Sequence, residues 1–168
     1  VFAPDVQIVE LPHLHKGLAS GPFDDDGVAT LDRHVVENGI VQGYFLGSYS
    51  ARKLGMRTTG NAGGTHNLIM KNGTPLSFQD LLKKMDTGLL VTELLGHGIN
   101  PVTGDYSRGA SGFWVENGAI RYPVEEITIA GNLKDMFRGI IAIGDDVIVR
   151  GSKQCGSVLI DRMTVAGG

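Results

Sequence analysis

The sequence predicts a β-rich α+β fold, an antiparallel sandwich or barrel-like sheet with two short helices. Three observations carry that prediction. The 168 residues include 25 glycines, about twice the usual share of roughly 7%, and glycine weakens helices while serving tight turns. Asn-Gly pairs stand at Asn38-Gly39, Asn72-Gly73 and Asn117-Gly118, and such pairs suit type I′ turns, whose central residues both take positive φ. Only two segments carry apolar residues at helical spacing behind a start signal.

Asp5–Glu10 reads as the first strand. Val35-Val36-Glu37 and Ile40–Leu46 flank the first Asn-Gly pair as a hairpin. The second pair behaves differently, because Gly73-Thr74-Pro75 leads into Ser77, an N-cap residue whose oxygen accepts from an unpaired backbone N–H. Asp80 complements the helix dipole there, and Leu81, Leu82 and Met85 follow at helical spacing until Gly88 stops the run. Leu89–Leu95 is the next strand. Phe113–Glu116 and Ala119–Val124 form a second hairpin around Asn117-Gly118, and Glu126–Ala130 is a separate strand. Asn132 opens the second helix, which carries Leu133, Met136 and Phe137, with Asp135 in its first turn and Arg138 near its end. Asp146–Arg150, Val158–Ile160 and Met163–Ala166 complete the strands. Val147-Ile148-Val149 is apolar throughout and reads as buried on both faces.

The length fits one domain. Fifteen Lys+Arg against 18 Asp+Glu, with a net charge of −3, leave no electrostatic footprint for nucleic acid. The apolar stretches at Leu89–Leu95 and Ile140–Ile143 fall far short of the roughly 20 residues that span a bilayer. No basic, then apolar, leader opens the chain. The single cysteine, Cys155, rules out an internal disulfide framework and suits a reducing, cytoplasmic setting. The first residue is Val, so the chain reads as a piece of something longer.

Several motifs invite chemical readings. His13-Leu14-His15 would place two imidazoles on one face of a strand, one way to begin a zinc site, but Pro12 and Lys16-Gly17 argue for a loop. Asp24-Asp25-Asp26-Gly27 starts like a calcium loop, yet Val28 and Val35 occupy the fifth and twelfth positions, which leaves a solvated acidic turn. Ser50-Ala51-Arg52-Lys53 has the S-x-x-K spacing of penicillin-recognising enzymes without its companion motifs. Asn72-Gly73-Thr74 is formally a glycosylation sequon and reads instead as a turn. Thr58–Asn67 holds Gly60, Gly63 and Gly64 among polar side chains, so its backbone N–H groups can approach a ligand; a structural loop over a sheet edge explains it equally well. Asp105–Trp114 would present an edge strand to a peptide or pair within the sheet. Cys155 fits a small buried hydrophobe, and as a nucleophile it would need His66 or His97 as its base.

Longer runs carry a family likeness. Pro12-His13-Leu14 with Lys16–Ser20, Tyr49–Gly55, Val102–Gly109, Phe113–Gly118, Glu126–Met136 and Gln154–Leu159 together resemble the C-terminal part of the TldD/PmbA metallopeptidase family, on its PmbA (TldE) side. The resemblance covers nearly all of residues 1–168 as a single C-terminal domain, with the N-terminal domain expected to be absent. It implies a bacterial cytosolic system acting on peptides and unfolded segments, with an older name as modulator of DNA gyrase. In the TldD branch an H-E-x-x-x-H helix supplies two zinc ligands and a general base, and a downstream Cys supplies the third ligand. The PmbA branch is the companion subunit of a heterodimer.

No H-E-x-x-x-H occurs in this sequence, and none of its five histidines is followed by Glu. The expectation is therefore a non-catalytic component with no cofactor of its own, zinc lying in a TldD-type partner. That partner, or a second copy, completes a dimer that handles a peptide. Arg52, Gly63, Gly64, His66, Asp105 and Arg108 are the candidate peptide contacts, and no residue is assigned a catalytic role. Cys155 falls close to where the catalytic branch has its ligand Cys and is the one candidate metal ligand. Two alternatives follow: a variant zinc site built from Cys155 with His66 or His97, and a purely structural oligomerisation domain.

Overall fold

A computed structural model describes residues 1–167. The first half holds β1 (Gln7–Glu10), β2 (Arg33–Glu37), β3 (Ile40–Val41), α1 (Ser48–Lys53), β4 (Leu68–Lys71) and α2 (Phe78–Met85). There follow β5 (Gly88–Leu95), β6 (Asp105–Glu116), β7 (Ala119–Asn132), α3 (Leu133–Arg138) and β8 (Ile140–Ile143). The chain closes with β9 (Lys153–Gln154), β10 (Val158–Ile160) and β11 (Thr164–Ala166). These elements form two compact units. One comprises Pro4–Gly73 and Val147–Gly156, and the other comprises Val1–Ala3, Thr74–Asp146 and the chain from Ser157 onward.

The first unit is built on a five-stranded sheet in the order β3-β2-β1-β4-β9, antiparallel except for the β4–β9 pair. Its first hairpin forms as the Asn-Gly pair dictates: Asn38 and Gly39 take φ of 50° and 74°, and Glu37 pairs with Ile40. The second strand of that hairpin ends at Val41, well before Leu46. Val6, Val35, Val36, Leu46 and Ala51 are its buried apolar residues.

The second unit carries the sheet β11-β7-β6-β5 and the separate pair β10–β8. Asn117 and Gly118, at φ 53° and 67°, turn β6 into β7. Tyr106, Ala110, Ile127 and Ile129 form one core cluster, with Leu89, Val91, Val124, Leu133, Met136 and Met163 packed against them, and Leu81, Leu82, Val115, Ile140, Ala142 and Ile143 are buried as well. Both expected helices are present with their caps. Ser77 Oγ accepts from the Asp80 N–H, and Asn132 accepts from the Lys134 N–H.

The β-rich α+β class holds, and among the described residues the antiparallel sheets are open and close no barrel. Several elements differ from expectation. A third helix, α1, escaped prediction because Gly47 provides no side-chain cap and only Ala51 is buried, so no apolar stripe marks it. Helix α2 ends at Met85, where Asp86 takes φ 59°; Gly88 already belongs to β5. Ala119–Val124 and Glu126–Ala130 are one strand interrupted by a bulge: Ile127 faces Ala110 and Val124 faces Gly112, with Glu126 at φ 58° in between. Val147-Ile148-Val149 lies in no strand and is 38%, 67% and 62% exposed, which overturns the buried-strand reading. Apolar composition alone had suggested burial, but no neighbouring backbone pairs with this segment.

Candidate peptide-binding site

The Gly-rich segment is an irregular loop between α1 and β4. Gly60, Gly63 and Gly64 sit at φ 70°, 89° and 125°, where a side chain would be strained. Such a loop has no ladder to define its shape, so other contacts must supply it. Two buried carboxylates do so.

Glu10, at the end of β1, is 1% exposed. Its Oε2 accepts from Arg33 Nε at 2.8 Å. Its Oε1 accepts from Asn61 Nδ2 at 2.7 Å and from the His66 N–H at 2.9 Å, and His66 Nδ1 lies 3.2 Å away. Asn61, itself buried, also donates to Gly64 O and accepts from Arg33 Nη2. Burial pushes the Glu10 carboxyl up, but the His66 N–H, the Arg33 guanidinium and the Asn61 amide outweigh it and hold the group below the usual carboxylate range.

Asp24 grips the loop from its other side. Its carboxylate accepts from the N–H groups of Ala62 at 3.0 Å, Val28 at 2.9 Å and Asp26 at 3.0 Å. Burial works to raise this carboxyl too, and those N–H donors together with the nearby His66 lower it overall. The acidic turn is therefore not simply solvated: Asp24 is buried and organises two loops, while Asp25 and Asp26 are exposed. Asp26 Oδ2 also accepts from the Ser48 N–H, which sets the start of α1.

The result is a shallow depression of about 250 Å³ lined by Ser20, Phe23, Asp25, Gly63, Thr65 and His66 among others. Glycine is favoured at position 63 on two counts. Beyond its φ, a Cβ there would stand 2.2 Å from Asp25 Oδ2. Behind the loop, Asn67 is fully buried, donating to Leu11 O and Ser20 Oγ and accepting from the Ala19 N–H. A Cβ on Gly17 would lie 2.6 Å from Asn67 Nδ2, which accounts for glycine at that position.

Of the candidate contacts, Gly63, Gly64 and His66 share this loop. Arg52 is exposed in the last turn of α1, whose preceding Gly47 packs on Ala62. Asp105 and Arg108 belong to the other unit. Asp105 accepts from Thr103 Oγ1 at 2.7 Å and from Asn132 Nδ2 at 3.4 Å. Arg108 donates to Leu94 O at 3.4 Å, its Nε is buried without a hydrogen-bond partner, and it borders a small depression with His97, Gly98 and Ile99. Strand β6 lies between β7 and β5, so its backbone pairs within the sheet.

The remaining motifs find ordinary roles. His13 and His15 sit in turns, with His13 Nε2 3.2 Å from Thr30 Oγ1. Ser50 Oγ donates to Gly47 O, and Lys53 Nζ lies over the Tyr49 ring. Cys155 is exposed, just beyond β9. Among the described residues, no three His, Cys, Asp or Glu side chains converge in a group able to hold a metal ion. The sequence alone does not mark Glu10, Arg33 or Asn61; Glu10 follows Ile8-Val9 at the end of the first strand with nothing to distinguish it from a surface charge.

Comparison with known proteins explains the shared runs. Residues 1–167 match the family model described as PmbA/TldA metallopeptidase C-terminal domain. The chain is 59% identical over 165 residues to Metalloprotease PmbA of Escherichia coli O157:H7, covering 98% of this chain and 36% of that protein. It is 57% identical over 160 residues to the PmbA homolog of Haemophilus influenzae, covering 95% and 36%. A crystal structure from Thermotoga maritima, named as a proposed modulator of DNA gyrase, superposes with a TM-score of 0.89 at 43% identity, covering 98% of this chain and 40% of that one. TldE from Thermococcus kodakarensis shares the fold, with a TM-score of 0.83 at 23% identity, covering 99% and 40%. The chain thus spans about a third of the length of the curated relatives it matches. It belongs to the TldD/PmbA metallopeptidase family, of whose members it represents the C-terminal domain.

Proposed function

We propose that this domain is part of a PmbA (TldE)-type, non-catalytic component of a zinc metallopeptidase system that processes peptides in the cytoplasm. The component pairs with a TldD-type subunit, which holds the zinc, and contributes a preformed surface to the peptide. One observation carries the reading: a domain 59% identical to PmbA presents a glycine-rich loop hydrogen-bonded to buried carboxylates beside an open depression, while no three potential ligands converge among its described residues. Arg52, Gly63, Gly64 and His66 offer peptide contacts around that loop. Asp105 and Arg108 are candidate peptide contacts of the other unit, taken by itself. Main-chain recognition of an extended peptide suits such a surface, because backbone groups give affinity without fixing the sequence.

Other features agree. No helix among the described residues is long and apolar enough to cross a membrane. The alternative zinc site built from Cys155 with His66 or His97 draws no support from geometry, since no three potential ligands converge among the described residues. The test mixes the full-length protein with a TldD-type subunit and follows cleavage of an unstructured peptide. Cleavage is expected only from the pair. Chelator-sensitive cleavage by the full-length protein alone would overturn the reading, and so would self-association with no response to the second subunit.

A further inference from the structure

We infer that Glu10 is the positioning residue of the Gly60–His66 loop, holding it in the shape that receives the peptide. This rests on the peptide-contact reading above. Its grounds are geometric. The loop has no regular structure, and its three glycines permit many backbone shapes. One carboxylate removes that freedom by accepting from Arg33 on β2 and from the Asn61 amide and the His66 N–H near the two ends of the loop, at 2.7 to 2.9 Å. Asn61 then passes the constraint to the middle of the loop through Gly64 O, 3.1 Å from its Nδ2. The two Glu10 oxygens face Arg33 Nε, Asn61 Nδ2 and the His66 N–H, all donors. An anion is required there, because a neutral amide would turn one of its own N–H groups against them. Glu10 is 1% exposed, so it does not itself meet the peptide; it acts through the loop.

The test replaces Glu10 with Gln in the full-length protein, a change that keeps volume and removes charge. Hydrogen exchange is followed at the amides of residues 60–66, and affinity is read with a fluorescein-labelled unstructured decapeptide. Loss of a charge-assisted hydrogen bond predicts local exchange faster by about tenfold or more, with peptide affinity weakened by about the same factor. Exchange in β6 and β7 should not change, which separates local positioning from general destabilisation. Asn61→Ala provides a second variant should E10Q fail to fold, and the same local acceleration is expected. Unchanged exchange at residues 60–66 would overturn the positioning role. Faster exchange with unaltered affinity would instead overturn the peptide-contact reading beneath it.

Discussion

Replacing Gly63 with Ala tests the loop where its conformation and its surroundings both favour glycine. At φ 89° the backbone lies in the left-handed region, where an L side chain costs about 1–2 kcal/mol. The added Cβ would also stand 2.2 Å from Asp25 Oδ2. An ordinary carbon–oxygen contact needs roughly 3.2 Å, so the carboxylate must withdraw by about 1 Å. Asp25 is exposed, and its rotation adds about 0.5 kcal/mol. The sum is about 2 kcal/mol, or about thirtyfold in the unfolding equilibrium. Urea denaturation of the full-length protein reads it directly. Adding Asp25→Ala should recover only the smaller part, because the backbone strain remains. A G63A protein within about 0.5 kcal/mol of the parent would refute the loop geometry.

Three further outcomes are expected. Gly112→Ala would set a Cβ 1.9 Å from Leu90 O on the adjacent strand; backbone cannot retreat as a side chain can, so β5 should part from β6 at a cost of about 2–4 kcal/mol, read by thermal melting. Ser77→Ala removes the acceptor for the Asp80 N–H and the donor to Asp80 Oδ2, and should cost about 1 kcal/mol in denaturant titration. Acid should loosen the Gly60–His66 loop. Glu10 and Asp24 are both held below their ordinary range, so the unfolded chain takes up protons first; their contribution is complete above about pH 4.5 and fades as pH falls through the lower folded values. Hydrogen exchange at pH 7, 5 and 3, corrected for intrinsic rates, should show this, with a weaker pH dependence in E10Q.

The hairpins were legible because local chemistry decides them. Asn38-Gly39 and Asn117-Gly118 adopt the positive φ that few residues tolerate, and Ser77 and Asn132 cap the helices that follow them. Asn72-Gly73 lacks positive φ at either residue, in keeping with its place before a helix cap. Tertiary effects hid the rest. Helix α1 begins where Asp26 accepts from the Ser48 N–H, a contact 22 residues apart. Val147–Val149 looked like a core strand because composition reports hydrophobicity, not whether a partner backbone is near. The glycine-rich loop was visible as a candidate, but what shapes it was not. Glu10 and Asn61 meet across 51 residues, and only the folded sheet brings them together.

The most direct test of the central claim is elemental analysis of metal on freshly purified full-length protein, with and without Cys155→Ser. A non-catalytic component predicts no stoichiometric zinc in the isolated protein and no effect of the substitution, with zinc appearing only in the TldD-type partner. Near-stoichiometric zinc lost on replacing Cys155 would contradict it and restore a metal centre to this subunit.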